Sequence, residues 1–340
     1  MLVPYIRSSS YGQYEYCEMS YFFTYVLGYY QPSGKKAQLG TIVHKVMECL
    51  ASCKKELQES NKKRLKIEDD AVGEIKFTPT SLYSNKIVDD LLNRAYEYFS
   101  LKCIHDYDKS DFKFCKDSVS TCINYNNGQF DPRNQTIIQP EAKFDIPIEE
   151  SWAKFTFVDK DGNSQNGQLA IKGTIDLVTK MDDGVIEVID YKTGQRKNWA
   201  TGEVKTYDKL MDDAQLLLYN YAITKLFSDY NQAIMTIFFI RDGGPFSMCF
   251  EKEHQNLFLK KLERRFNEIQ NNKNPKPISP TRSDFRCQKL CHFYKTKWPG
   301  TDKSMCRYVE DKILSEGYDK TVEDCKKPGF DMNFYSAPGE

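Results

Sequence analysis

The chain has 340 residues, of which 40% are hydrophobic and 14% aromatic, enough to bury a sizeable core in one large domain or two. Its 48 Lys+Arg balance 48 Asp+Glu, which excludes a strong whole-molecule basic field but leaves room for a local basic groove. The opening MLVPYIRSSSYG lacks the basic-then-apolar form of a signal peptide, and no apolar run is long enough to span a bilayer. A soluble, cytoplasmic protein with no membrane partner is the expectation, so the 11 cysteines are not expected to form a general disulfide framework.

Residues 8–31 mix Ser and Tyr around a single Cys17 and then read YFFTYVLGYY, a capped start followed by an aromatic helix. Gly34 and Gly40 punctuate the chain before Thr41–Ser52, where Val43, Val46, Met47 and Leu50 recur at helical spacing. His44 and Glu48 stack one turn apart on that helix, and His44 can point from its start towards a sheet. The charge-rich Lys54–Asp70 stretch reads as a solvated helix or linker, and Ser84–Leu101 as an amphipathic helix. Residues 103–135, with Cys103, Cys115, Cys122 and an Asn-rich loop, give no definite pattern.

From Ile137 the chain turns strand-like: IIQPEAKFDIPI, containing Glu141, then WAKFTFVD and a DGNSQNG turn. The next stretch, GTIDLVTKMDDGVIEVIDYKTG over Gly173–Gly194, is the most informative in the chain. It puts Asp176 in one apolar strand and Asp190-Tyr191-Lys192 at the end of the next. Side chains alternate along a strand, so Asp190 and Lys192 share a face with Ile186 and Val188 while Tyr191 points the other way. A three-residue Asp182-Asp183-Gly184 loop makes Met181 face Val185 and Asp176 face Asp190, with directly opposed Cβ atoms roughly 4.5–5.5 Å apart. A two-residue Asp183-Gly184 turn would put the acids on opposite faces unless a bulge repaired the register.

Charges ending a buried stripe are costly unless paired or metal-bound, which separates this arrangement from a hairpin with solvent-facing acids. Two acids and a lysine at strand ends suit a metal-dependent phosphodiesterase: acids for divalent cations, lysine for the water and the transition-state charge. Glu141 can add a third carboxylate. In the helix that follows, Ala214–Phe227, Gln215 and Tyr219 lie i, i+4 on one face. Strands over Ala233–Ile240 and Phe246–Glu251 and a helix over His254–Gln270 complete the pattern. It argues for an α/β fold with a mixed central sheet flanked by helices.

The tail carries Cys287-x3-Cys291 and Cys306 in a polar segment with little to bury them. With Cys17 as the distant fourth ligand they suit a [4Fe–4S] cluster or tetrahedral zinc, His292 and Cys325 being competing ligands. Such a site would clip the N- and C-terminal segments together around residues 280–310.

SSSYGQYEYCEMSYFFTYVLGYY, GTIVH, Glu141, GTID, VIDYKTG, QLLLY and the cysteine tail occur in that order over nearly the whole chain. Together they resemble the PD-(D/E)xK nuclease superfamily, and within it the RecB-type branch that includes CRISPR-associated exonucleases and the AddB nuclease domain. The resemblance implies a restriction-endonuclease-like fold, a single nuclease domain with its core over residues 137–270, and an N-terminal helical part over 1–53. It implies Mg²⁺ or Mn²⁺ held by His44, Asp176, Asp190 and the backbone carbonyl of Tyr191, with Lys192 catalytic and Gln215 and Tyr219 completing a helix motif. It also implies a [4Fe–4S] cluster on Cys17, Cys287, Cys291 and Cys306. The tail departs from the family spacing, with three residues and then fourteen between its cysteines, and Cys17-Glu18 stands where relatives have Cys-Pro. The implied activity is a DNA exonuclease on single-stranded or frayed ends, with a helicase, recombinase or integrase as partner. The other readings are a DNA-binding or assembly module with a vestigial site, and a CRISPR-type trimming partner of an integrase.

Overall fold

A computed structural model describes residues 3–158, 162–182, 184–197 and 202–330. The chain forms two compact units, one from Ser33–Lys143 with Thr174–Glu251, the other from Met1–Pro32, Phe144–Gly173 and Lys252–Glu340. In the first, helix α1 spans Lys35–Glu59, a hairpin pairs β1 (Leu65–Asp69) with β2 (Gly73–Phe77), and α2 (Asn85–Lys102) and α3 (Lys109–Asn124) follow. Strands β3 (Thr136–Pro147), β4 (Ala170–Asp182) and β5 (Val185–Lys192) precede α4 (Ala214–Leu226), and β6 (Gln232–Phe239) and β7 (Gly244–Cys249) close the sheet.

The sheet is mixed. β4–β5 and β6–β7 pair antiparallel, β5–β6 pair parallel, and β3 lies against β4. A parallel pair needs a long crossover, and α4 supplies it between β5 and β6. β5 is buried from Ile186 to Tyr191 without alternation, the mark of a central strand covered on both faces. The covering elements follow from side-chain parity. Leu177, Ile189, Tyr191 and Phe238 pack with Val43, Val46 and Leu50 of α1, Leu91 and Leu92 of α2, and Val119 of α3. Ile237 and Phe239, one residue out of phase with Phe238, pack with Leu216 of α4 and Met248. Helices thus flank the sheet on both faces, as the pattern of strands and helices predicts.

Two stretches differ from the sequence reading. Lys54–Asp70 is not a solvated helix or linker throughout: α1 runs to Glu59, and the remainder enters the β1–β2 hairpin. The turn there closes because the Asp69 carboxylate accepts the Ala71 and Val72 N–H groups, both at 2.9 Å, and Gly73 takes φ +69°. Within the patternless 103–135 stretch, α3 forms behind Asp108, whose carboxylate accepts from the Ser110 and Asp111 N–H groups. Cys115, Val119 and Cys122 of α3 face the core as small hydrophobes, as do Cys49 and Cys53 of α1. Burial pushes the Cys115 and Cys53 thiols up to about 12, which keeps them protonated and inert.

Glu187 is, like Asp190, a buried acid within β5, with Thr179 opposite it on β4 and Thr236 of β6 beside it. Thr236 donates its hydroxyl to the carboxyl, and Thr236 and Ser247 share a second contact at 2.9 Å. Burial outweighs the Thr236 hydrogen bond and raises the Glu187 pKa. A folded-state pKa above the unfolded one gives stability that is full at acid pH and declines as pH rises through the folded value. Glu187→Gln keeps an acceptor for Thr236 and removes the ionisation. Its urea midpoint relative to wild type is therefore expected to improve between pH 5 and pH 8, and a difference constant with pH would refute this account.

In the second unit, Tyr5–Ile6 pairs parallel with Ala170–Ile171, and Lys154–Val158 pairs antiparallel with Ser164–Gln168. The residues expected to form the DGNSQNG turn thus include a strand from Ser164. The aromatic N-terminal segment is broken into Ser8–Tyr16, Glu18–Tyr21 and a π-helical turn over Phe22–Val26. Helices Met305–Glu316 and Tyr318–Cys325 bring Val309, Ile313 and Cys325 against Phe22, Phe23 and Phe293. No helix among the described residues is long and apolar enough to cross a membrane.

Candidate active site

β4 and β5 set the two acids. Leu177 pairs with Ile189, Val178 with Val188 and Lys180 with Ile186, the register that places Asp176 opposite Asp190 one step further on. The turn is not the expected one. Asp182, not Met181, pairs with Val185, and the ladder shifts between Lys180 and Asp182. Met181 is the extra residue, 51% exposed. A bulge of this kind restores the face that a shorter turn would have reversed. Asp183, the middle of the expected loop, lies outside the described residues.

The side chains of the first unit then meet in a short network. Asp176 Oδ2 accepts the Tyr191 N–H at 2.8 Å and lies 3.3 Å from His44 Nδ1 of α1. Lys192 Nζ donates to Asp190 Oδ1 at 2.9 Å and sits 2.7 Å from Oδ2, the latter an ion contact without hydrogen-bond geometry. Gln215 Nε2 donates to Asp190 Oδ1 at 3.2 Å and to Tyr219 Oη at 2.9 Å. Gln215 is fixed in turn because α4 begins there, with Asp213 accepting its N–H at 3.0 Å. Tyr191 turns away, fully buried, and its hydroxyl donates to the Phe130 carbonyl at 3.0 Å.

Glu141 comes from β3, where it takes φ +44° directly after Pro140, an uncommon backbone state for a residue with a Cβ. It lines one recess with His44, Glu48 and Asp176. Glu48 was noticeable in sequence only as the residue one turn after His44. Lys45 holds it at 2.5 Å and reaches Asp69 at 3.1 Å, so the β1–β2 turn supports the recess through Lys45. Lys45 and Asp69 have no motif signal: their relation depends on a hairpin that the sequence reading did not contain.

The electrostatics show crowded negative charge. Burial, then the charges of Asp176 and Glu48, raise Glu141 to about 8. Burial also raises Asp190 against the pull of Lys192. Asp176 runs the other way: burial opposes ionisation, but His44 and Lys192 outweigh it and hold the carboxyl below its usual range. Burial likewise opposes charge on Lys192, and Asp190 and its neighbours overcome it and raise the pKa. The Asp190 side chain is only 3% exposed, whereas Lys192 and His44 keep 31% and 28%, so the charged cluster opens to solvent on one side.

In the second unit, Cys287 and Cys306 are buried and Cys17 and Cys291 half-buried. Burial raises all four thiols, Cys306 to about 12, and charge on Cys17 would push the other three further up. The premise that the tail has little to bury them does not hold, because Met19, Phe22, Phe23 and Val309 enclose that region. All four are free thiols. Among the described residues no group of three or more His, Cys, Asp or Glu side chains is gathered closely enough to hold a metal ion as it stands.

Two acids, one buried and one half-buried, a lysine held against the buried one and a helix glutamine thus meet on a mixed, helix-flanked sheet. The PD-(D/E)XK nuclease superfamily profile matches residues 8–295, and the chain belongs to that superfamily. Among solved structures, a Eubacterium rectale protein provisionally named an exonuclease aligns at 10% identity, covering 92% of this chain and 94% of its own, with a TM-score of 0.44. The structure of SSO0001 aligns at 12% identity over 73% of this chain and 96% of its own, with a TM-score of 0.25. No curated protein matches the chain. Its superfamily membership makes it, by class, a nuclease.

Proposed function

We propose that the chain is a metal-dependent deoxyribonuclease of the RecB/AddB-like branch. It would act as an exonuclease on single-stranded or frayed DNA ends in recombination, repair or DNA processing. The carrying observation is the buried Asp190 with half-buried Asp176 opposite it and Lys192 against it. The donor set fits a divalent cation. Asp190 Oδ2 is buried without a hydrogen-bond partner, and the mutual repulsion that raises Glu141 is what a cation relieves. Asp176, Asp190, His44 and the Tyr191 carbonyl would hold Mg²⁺ or Mn²⁺, with Glu141 as a further carboxylate. Such an ion supplies Lewis acidity and a bound water of lowered pKa. Lys192 keeps its charge, places the attacking water and offsets negative charge on the phosphate in the transition state. Gln215 and Tyr219 keep the Asp190 carboxylate in its rotamer, and His44 keeps Asp176 ionised. A helicase, recombinase or integrase would present the DNA end.

Cys17, Cys287, Cys291 and Cys306 would hold a [4Fe–4S] cluster, or zinc as the alternative. Thiols raised by burial and by one another would be held as thiolates by a bound metal cation.

Purified full-length protein is expected to shorten end-labelled single-stranded DNA progressively with Mg²⁺ or Mn²⁺, and EDTA to stop it. Absence of cleavage with either metal would sink the reading. In the same anaerobic preparation, visible charge-transfer absorption marks the cluster and stoichiometric zinc the alternative. Neither signal would leave the cysteines as packing residues.

A further inference from the structure

The second unit contains a cavity of about 730 Å³, none of whose lining residues belongs to the candidate site. Its volume falls in the roughly 300–1,000 Å³ range of small-ligand sites. Phe155 and Phe157 line it from one face of the Lys154–Val158 strand, with ring centroids 6.1 Å apart. Their setting is built into the hairpin. Gly167 is the cross-strand partner of Phe155, and a Cβ there would come within 2.4 Å of its ring. Only glycine lets the Phe155 ring lie across the neighbouring strand, and Phe266 supports it at 6.0 Å.

Lysines stand beside these rings. Lys154, Lys273 and Lys326 line the cavity, with Asp319 as the acid among its lining residues. Lys273 lies 4.7 Å over the Tyr318 ring and 2.7 Å from Asp319. That pair is 59% and 84% exposed, and exposed pairs are weak enough for a phosphate to displace the carboxylate. In a chain whose charges balance overall, this cavity carries a local positive excess beside aromatic faces. An apolar peptide would use the rings and leave the lysines without a counter-charge. A single-stranded nucleic acid uses both, bases on rings and phosphates on ammonium groups.

We propose that this cleft binds a segment of single-stranded nucleic acid, with bases stacked on Phe155 and Phe157 and backbone phosphates on Lys154, Lys273 and Lys326. The proposal rests on the nuclease reading for the origin of its ligand, and its test is read separately. Binding of a fluorescein-labelled oligothymidylate to the full chain is measured by anisotropy in EDTA, where no cleavage occurs. Phe157→Ala is expected to weaken binding on the order of tenfold, as loss of one stacking platform does. Lys154→Ala/Lys326→Ala is expected to flatten the plot of log affinity against log salt by about 1.4, at ~0.7 per lost single-strand phosphate contact. Hydrolysis of thymidine 5′-p-nitrophenyl phosphate, which has no run of bases and phosphates to engage the cleft, is expected to be equal in wild type and variants. If wild type fails to shorten end-labelled DNA with Mg²⁺ or Mn²⁺, the nuclease reading falls while the binding comparison still decides the cleft. Wild-type affinity and salt slope in both variants would overturn the proposal. A loss confined to the lysine variant would overturn the stacking assignment.

Discussion

Lys192→Ala is expected to lower DNA cleavage in Mg²⁺ or Mn²⁺ by at least ~10²–10³-fold, the range for removing one preorganised charge-stabilising donor. The side chain ends β5 with its ammonium between 2.7 and 2.9 Å from both Asp190 oxygens, in a position that packing and pairing fix before any substrate arrives. Its charge persists because the Asp190 and Asp176 carboxylates offset the cost of burying it. Removing it strands Asp190, but that carboxyl retains the Gln215 amide and can take up a proton, so the fold is expected to survive. Lys192→Arg separates charge from placement: it restores the cation in a planar group of different reach, and little recovery of activity is expected. The measurements are cleavage rate, circular dichroism and oligonucleotide binding for each variant. Undiminished cleavage by Lys192→Ala would remove Lys192 from the proposed chemistry.

The acid–acid–lysine arrangement was legible because strand alternation and one register fix it. Even there the turn was misread while the pairing was right. Loop length and bulge trade off one for one, so Met181 moves from a paired position to a bulge without disturbing Leu177–Ile189. Gln215 and Tyr219 were legible as an i, i+4 pair, but their partner was not: a contact to Asp190 depends on the crossover that carries α4 over the sheet. Lys45 and Asp69 were missed for a related reason. The β1–β2 hairpin alternates only weakly beneath its charges, so LKIED and GEIKF look solvated until Leu65, Ile75 and Phe77 are seen buried. Cysteine concealed the rest. Counted as a reactive group it made α3 patternless, whereas counted as a small hydrophobe, Cys115, Val119 and Cys122 trace an ordinary helical stripe.

Gly40→Val is expected to reduce cleavage on the order of 10²-fold while changing stability little. The sequence suggests a break in the chain at Gly40, yet it lies inside α1, two residues before the fully buried Ile42. Its use is close approach. A Cβ at position 40 would stand 2.7 Å from Thr193 Oγ1, immediately after Lys192, so α1 meets the end of β5 with no side chain between them. His44 lies one turn further along the same helix, 3.3 Å from Asp176. Valine at position 40 must displace the Thr193 hydroxyl or the helix, and its two branches make displacement of the helix from the strand end the expected result. Misplacement by about 1 Å near a reacting centre can cost ~10²-fold in rate. Helix propensity works in the opposite direction, because glycine is the poorer helix former, which offsets part of the strain. Gly40→Ala gives the sharper test. The obstructing atom is a hydroxyl, and in its absence the nearest remaining Thr193 atom, Cβ, is 3.8 Å away. Activity lost in Gly40→Ala is therefore expected to return in Gly40→Ala/Thr193→Ala, and a double-mutant cycle on cleavage rate measures the coupling. Additive effects in that cycle would show that the helix does not set His44 through this contact.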